Sequence, residues 1–470
     1  MLKKIRARVE PLLAGLRTKG SFTQNLAVAF SSNALTFVIT FLFTPIFSRI
    51  YTPEAYGKFA LFSTISNNVM VLVSLSFPNA FVLPRDERKF LDLVRLSFLL
   101  AFGSMIILVP FFGFSGKNIL HFFNAESLVE YRWLIAPSIL VSAINVIWNN
   151  WHSREKEFRR NGVAQIGAAV VSRTVGLSYG LGVGGFAPGL LLSDFAHKFT
   201  ASIISVNKSM RARFTELFYG FKWSNVRETF IEYRQYPLYS LPGSWVAGFT
   251  SQLPVLVLSR FYGVSAVGQF SYANSLLNIP IQLIAFSLGS VFLQRATEIY
   301  YDTPERMPQL IKDLYLRVFY LGVIPFGVLS VYGEWIFTFI LGKKWQTAGV
   351  FAGYMAYYYI FYLVSYFFSS LYVIIDKQKY NLLGHGINLG MMCLAFIPGV
   401  ILQDVKLFVM LFSIGSVIAF TVNILIVFRL FRVSPVGVVV RSWLILFGVF
   451  IFLTLVKMGL VALAPSIFLK

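Results

Sequence analysis

The run Ser48-Arg49-Ile50-Tyr51-Thr52-Pro53-Glu54-Ala55-Tyr56-Gly57-Lys58-Phe59 returns later in the chain as Ser259-Arg260-Phe261-Tyr262-Gly263-Val264-Ser265-Ala266-Val267-Gly268-Gln269-Phe270. Ser, Arg, Tyr, Ala, Gly and Phe agree, six of twelve positions without a gap. Apolar coincidences come easily in a chain this rich in Phe and Leu, but Ser-Arg and Gly are not apolar filler. Each copy stands between two long apolar runs. A bilayer core about 30 Å thick demands about 20 apolar residues per helix. By that measure the runs are 25–47, 59–83, 96–114, 134–151, 163–181, 187–207, 238–258, 268–293, 318–333, 347–375, 381–402 and 407–428. A thirteenth, 442–464, carries Lys457 and reads as a further span or a shallow hairpin. The two motif copies follow the first and seventh runs, so the repeat is six spans long and its halves are parallel in the membrane. A weaker echo joins Glu155-Lys156-Glu157-Phe158, after the fourth run, to Lys377-Gln378-Lys379-Tyr380, after the tenth.

The expected fold is therefore an all-α polytopic membrane protein of two six-helix lobes. Residues 25–207 form the first lobe and 238–428 the second. Residues 208–237 form a basic linker whose Phe, Tyr and Trp suit an interfacial helix rather than a free tether. Residues 1–24 precede the lobes. Their Leu2, Ile5, Val9, Leu12, Leu13 and Leu16 recur at helical spacing among basic residues, so they read as an amphipathic cytoplasmic helix or as a basic tail. Residues 429–470 carry the thirteenth run.

Composition agrees. Of 470 residues 57% are apolar and only 13% charged, about half the charge of a soluble domain. There is too little charge to cover the surface of a soluble enzyme. The single cysteine, Cys393, excludes an internal disulfide. The net charge of +21 is not the footprint of a nucleic-acid binder, because the basic residues form short clusters between apolar runs. That is how loops facing anionic lipid look. With the N-terminus inside, the inside segments hold 29 Lys+Arg and the outside loops 8. The asymmetry sets an N-in orientation.

The run Pro45–Gly57 resembles the first-helix signature of bacterial polysaccharide-repeat-unit (O-antigen-type) flippases. Phe81-Val82-Leu83-Pro84-Arg85-Asp86 is similar to the second-helix exit of that group. Gln252–Gly263 is similar to its seventh helix, and Gly342-Lys343-Lys344-Trp345-Gln346-Thr347-Ala348-Gly349 to its loop before the tenth. The resemblance covers roughly residues 20–430. It places the chain in the multidrug/oligosaccharidyl-lipid/polysaccharide exporter superfamily. It implies twelve core helices in two lobes and transfer of a polyprenyl-pyrophosphate-linked oligosaccharide across the bacterial inner membrane. Surface-polysaccharide polymerase and chain-length proteins would then be its partners. Two positions depart from the pattern. Ser275 stands about where many relatives carry Arg, and Tyr366 and Phe367 where many carry Pro.

Ionisable groups inside spans are costly and mark function by default. Arg173 in the fifth run and Asp194, His197 and Lys198 in the sixth flank the glycine-rich turn 182–189. Arg173 and Lys198 each lie nine residues from that turn, about 14 Å at ~1.5 Å per residue, so they share a depth near the midplane. Asp194 and Lys198 stand i,i+4 and can pair. Arg173 then offers a planar fork to a pyrophosphate in a lumen between the lobes. The competing reading is an Arg173–Asp194 bridge that only locks the hairpin. Asp194, the sole carboxylate in a span, is a candidate ion-coupling group with His197. His385, between two glycines in the eleventh run, is a third such candidate or an interhelix hydrogen bond. Arg49 and Arg260, the repeat-related pair, are candidates to guide an anion outward. Alternatively they cap helix ends at the lipid headgroups. Many spans carry Asn or Gln, which suit sugar hydroxyls in a wet cavity or join helices.

No P-loop pattern appears, so the chain is not expected to use ATP. No cofactor is expected, and no metal, since paired His or His/Cys spacings are absent. Two rivals remain. A membrane polymerase or ligase would present a large external loop, whereas the longest here is about 20 residues with few acids. A cation-coupled multidrug exporter wants a carboxylate-lined pocket, whereas the spans hold one acid and several bases.

Overall fold

The computed structural model describes residues 22–122, 124–219 and 221–463. The amphipathic segment expected at 1–24 falls almost wholly outside them. Among the described residues there is no β-strand. In chain order the helices are α1 (Phe22–Ile50), α2 (Pro53–Ser74), α3 (Glu87–Pro110), the short α4 (Gly116–Phe122), α5 (Arg132–Glu155), α6 (Phe158–Gly182) and α7 (Ala187–Ser205). Then come the short α8 (Lys208–Tyr219) and α9 (Trp223–Glu232), followed by α10 (Leu241–Tyr262), α11 (Val264–Asp302), α12 (Met307–Leu341), α13 (Gln346–Ile374), α14 (Gln378–Leu402), α15 (Val405–Leu430) and α16 (Pro435–Leu463). The thirteen long helices answer one to one to the thirteen apolar runs.

Among the described residues, nine segments are apolar enough over their length to cross a membrane by composition alone. The long helices outside that set are α2, α6, α7 and α11. Each has polar groups along it: Asn67 and Asn68, Arg173, the Asp194–Lys198 stretch, and Asn274 with Asn278. Such helices need protein or water beside them, because a polar group in hydrocarbon must find a partner. The thirteenth run is one continuous 29-residue helix, so the hairpin alternative falls. Lys457 is accommodated by donating to the Val331 carbonyl of α12 at 2.8 Å.

Helix ends differ from the apolar runs. The α11 and α12 helices run on for 39 and 35 residues, because helical hydrogen bonding continues where hydropathy stops. The α3 helix begins at Glu87, where Asp86 caps the Arg88 amide at 3.0 Å. Arg95, counted above with the cytoplasmic loop, thus lies inside α3. It is buried, pairs with Asp92 at 2.5 Å and donates to the Glu216 and Leu217 carbonyls at the end of α8. The linker is held in the same way elsewhere: Arg213 of α8 reaches Glu87 at 2.6 Å and Glu155 at 2.9 Å, and Glu232 of α9 meets Lys89 at 2.9 Å.

The chain divides into two compact units. Of the described residues, the first takes in 22–51 and 58–260, the second 52–57 and 261–463. In the first, α1 packs on α6, α6 on α7, α7 on α5 and α5 on α3. In the second, α13 is central, with α11, α12 and α15 against it, while α14 packs on α15 and α16 on α12. The second unit takes in the first residues of α2, and two glycines explain why. A Cβ on Gly57 would sit 1.9 Å from the Val264 carbonyl oxygen, and one on Gly268 would sit 1.7 Å from that of Pro53. Gly57 and Gly268 are equivalent in the repeated motif, and so are Pro53 and Val264. The start of each second helix thus meets the backbone of its counterpart, reciprocally, at a distance open only to glycine.

Candidate functional site

The charged residues of the fifth and sixth spans come together in the first unit. The α6–α7 hairpin is pinned one residue before Arg173 and Asp194. Ser193 Oγ donates to the Ser172 carbonyl at 2.8 Å, and the two hydroxyls lie 2.9 Å apart, both buried. Arg173 and Asp194 therefore stand at one level, and Lys198, expected at the depth of Arg173 from its count to the turn, lies one helical turn further on, about 6 Å at ~1.5 Å per residue. Lys198 Nζ lies 2.7 Å from Asp194 Oδ2, both side chains mostly buried. The same ammonium reaches Ser138 Oγ of α5 at 3.3 Å. The Asn145 amide of α5 donates to the Lys198 carbonyl at 2.7 Å and to Ser202 Oγ at 2.9 Å. The expected i,i+4 pair thus exists, and α5 holds it in place.

Arg173 turns toward α1. One guanidinium nitrogen is 3.5 Å from Thr40 Oγ1, and the guanidinium carbon lies 5.3 Å from the centre of the Phe47 ring. Close packing makes this contact possible. A Cβ on Gly176 would sit 2.7 Å from the Phe47 ring, and one on Gly180 would press on Ile50 at 2.5 Å. The Tyr51 hydroxyl completes the seam by donating to the Gly176 carbonyl at 2.6 Å. His197 lies among these groups: the charges of Asp194, Arg173 and Lys198 all act on it, and its ring reaches the Ala168 backbone. Three basic side chains and one acid thus converge within the membrane depth of one unit. Such a surface suits an anion.

The remaining candidates lie apart from this cluster. Arg49 and Arg260 are exposed, each in the last turn of its helix, where a cation complements the helix dipole. His385 belongs to the second unit, on α14. It borders a cavity of about 180 Å³ with Tyr362, Ser365 and Tyr366 of α13, Asn381 of α14 and Asn423 of α15 among its walls. The sequence reading passed over these tyrosines. Tyr354, Tyr358, Tyr362 and Tyr366 recur at four-residue spacing, which puts them on one face of α13. That periodicity was the available signal, masked because tyrosine also passes as apolar filler.

The fold has counterparts. A structure described as "Lipid II flippase MurJ, inward closed conformation" is similar with a TM-score of 0.66 at 16% identity, over 94% of this chain and 97% of that one. An inward-facing multidrug resistance MATE family transporter of the MOP superfamily is similar with a TM-score of 0.65 at 13% identity, over 90% of this chain and 97% of the other. Fold and composition thus define a multi-pass membrane protein with the architecture of that exporter superfamily.

The model of the family described as "Polysaccharide biosynthesis protein" matches residues 46–349, and the chain belongs to that family. Among individual proteins, the succinoglycan biosynthesis transport protein ExoT of Rhizobium meliloti (strain 1021) is 22% identical over 350 residues, which is 71% of this chain. The alignment spans 65% of that relative's length. The chain is thus, by family and fold, a multi-pass membrane member of the polysaccharide biosynthesis family.

Proposed function

We propose that the chain carries a polyprenyl-pyrophosphate-linked oligosaccharide repeat unit from the cytoplasmic to the outer face of the bacterial inner membrane, as a carrier and not an enzyme. One observation bears most of the weight: the cations Arg173 and Lys198, beside Asp194 and His197, seated at membrane depth in a chain of this family. The anionic head of such a lipid cannot cross hydrocarbon unaided. A guanidinium fork binds phosphate oxygens in pairs. Arg173 and Lys198 together outnumber Asp194, so the cluster as a whole carries excess positive charge. In this reading residues 25–207 and 238–428 are the two lobes and 208–237 the linker. The N-terminus is cytoplasmic, and the polymerase and chain-length proteins of the same polysaccharide are its partners. The drug-exporter reading is weaker, since a cationic drug would meet like charges here.

The test is export of surface glycan from cells in which the chain is replaced by variants. Arg173→Ala abolishes export at normal protein level. Arg173→Lys restores it in part, because an ammonium keeps the charge but loses the bidentate fork. Full export by Arg173→Ala overturns the assignment.

A further inference from the structure

The second unit holds a polar cavity that the translocation of an anionic head does not use. The α13 helix is the most enclosed long helix of that unit. Phe351, Ala352, Met355, Ala356, Ile360, Phe361, Leu363 and Val364 are all buried. The part of its surface left open carries Tyr354, 37% exposed, and Tyr366, 45% exposed. Between them Tyr358 and Tyr362 stack with ring centres 5.9 Å apart and planes 13° from parallel. A face meant for lipid has no use for phenol hydroxyls. Purely apolar exposed faces occur elsewhere in this unit, as on α16, where Leu444, Phe447, Phe452 and Leu455 are exposed. Tyr358 packs on Phe412 and Phe420 of α15 and Tyr362 on Phe420, so the phenols of this face left to meet water or a polar ligand are chiefly those of Tyr354 and Tyr366.

The cavity sits at the end of this face, next to the α13–α14 turn. Its back wall is fixed: Asn423 accepts from the Tyr372 hydroxyl at 2.7 Å and donates to Ser365 Oγ at 2.6 Å, all three buried. Its front is not spent in this way. Asn381 and His385 stand i,i+4 on α14, and both border the cavity. At about 180 Å³ the space equals roughly six waters, the scale of one sugar ring and not of a chain.

We propose that this cavity is a sugar-binding site: Tyr362 and Tyr366 offer aromatic faces to the C–H face of one pyranose, and Asn381 and His385 bond its hydroxyls. The proposal deepens the flippase reading and rests on it for the source of the sugar. It adds a second point of contact, chemically unlike the first, in the other unit of the chain. A cation is not the better occupant, since the walls named here hold no carboxylate. An acyl chain is not, since it leaves the Asn and His groups without partners.

The test is saturation-transfer NMR on the full chain in phospholipid nanodiscs. The probes are glucose, galactose, N-acetylglucosamine and glucuronate, each at millimolar concentration. At least one of the four receives saturation at its ring C–H protons. Tyr362→Ala weakens that binding roughly tenfold, while Tyr362→Phe, which keeps the ring, stays within about threefold. Asn381→Ala, on the less buried side of the cavity, weakens it roughly three- to tenfold, the worth of a hydrogen bond. Silence from all four sugars, or equal signal from wild type and both alanine variants, overturns the proposal. Arg173→Ala is run alongside in the glycan-export assay. Sugar binding with no effect of Arg173→Ala on glycan export removes Arg173 from the phosphate path and keeps the cavity. Lost export with no sugar binding does the reverse.

Discussion

The two halves of the chain share a frame and differ in what they put inside it. Three packings recur. α3 on α5 answers to α12 on α13, α5 on α7 to α13 on α15, and α6 on α7 to α14 on α15. The motif tyrosine behaves alike in each half. Tyr51 donates to Gly176 of the α6–α7 hairpin, and Tyr262 lies 3.5 Å from the Asp404 carbonyl in the α14–α15 turn. Beyond the frame they part. The first half adds α1 on α6 and encloses Arg173, Asp194, His197 and Lys198. The second adds α11 on α13 and encloses tyrosine, serine and asparagine. For example, the Tyr359 hydroxyl donates to Asn274 Oδ1 at 2.6 Å. A duplicated frame thus leaves its interior free to diverge, since helix packing depends on small residues and apolar volume at a few seams.

If the frame is truly shared, equal insults at equivalent seams must do equal harm. Gly268→Val and Gly57→Val are the severest test. Each side chain would have to occupy space within 2 Å of a backbone oxygen, which no rotamer relieves. The expected loss exceeds the ~4–5 kcal/mol that marks an exceptional substitution. It is read as the disappearance of monodisperse protein after extraction. A folded Gly268→Val beside a collapsed Gly57→Val would break the symmetry.

Next in size come the interior amides. Asn145→Ala in the first half removes the donor to Lys198 O and Ser202. Asn423→Ala in the second strands Tyr372 and Ser365. Interhelix hydrogen bonds in membranes contribute about 0.6 kcal/mol on average and up to about 1.7. Each variant should therefore lower thermal stability measurably without abolishing folding. Asn423 costs more, because its partners are buried on every side. The reverse order would mean that the charged half depends on its amide more than the neutral half does.

Much of this was legible beforehand, for physical reasons. Bilayer thickness imposes a length on apolar runs, so thirteen helices could be counted from hydropathy. The i,i+4 rule pairs Asp194 with Lys198, but helical rise counted from the turn levels Arg173 with Lys198, whereas the Ser172–Ser193 contact levels it with Asp194. Three things were not legible. Helix ends carry no apolar signal, so Arg95 passed for a loop charge when it clamps α8 from within α3. Gly57 and Gly268 were visible as a repeated letter, but their reciprocal contact is a tertiary fact. The tyrosine face of α13 is hidden by composition, because in a chain with 49 Phe and 23 Tyr an aromatic attracts no notice.

The smallest expected effect sharpens the comparison most, because it separates charge from structure in the first half. Asp194 is the one carboxylate in the apolar runs, while others such as Asp92 of α3 stand in the helical extensions beyond them, and the equivalent run of the second half has no counterpart to it. If it couples transport to an ion gradient, it must be ionised while Lys198 pairs with it and must take up a proton when the substrate's phosphates compete for that ammonium. Asp194→Asn alone is ambiguous. It leaves Lys198, 16% exposed, without its anion, and breaking a buried pair on one side costs about 3–5 kcal/mol before transport enters. The double variant Asp194→Asn/Lys198→Met removes both charges, so protein level and melting temperature should return close to wild type. What remains is function. In sealed vesicles with and without a pH gradient, the double variant should still move substrate slowly through Arg173, but at a rate the gradient no longer changes. A double variant that keeps the wild-type response shows Asp194 to be a structural partner, and the ion-coupling role assigned to it is then wrong.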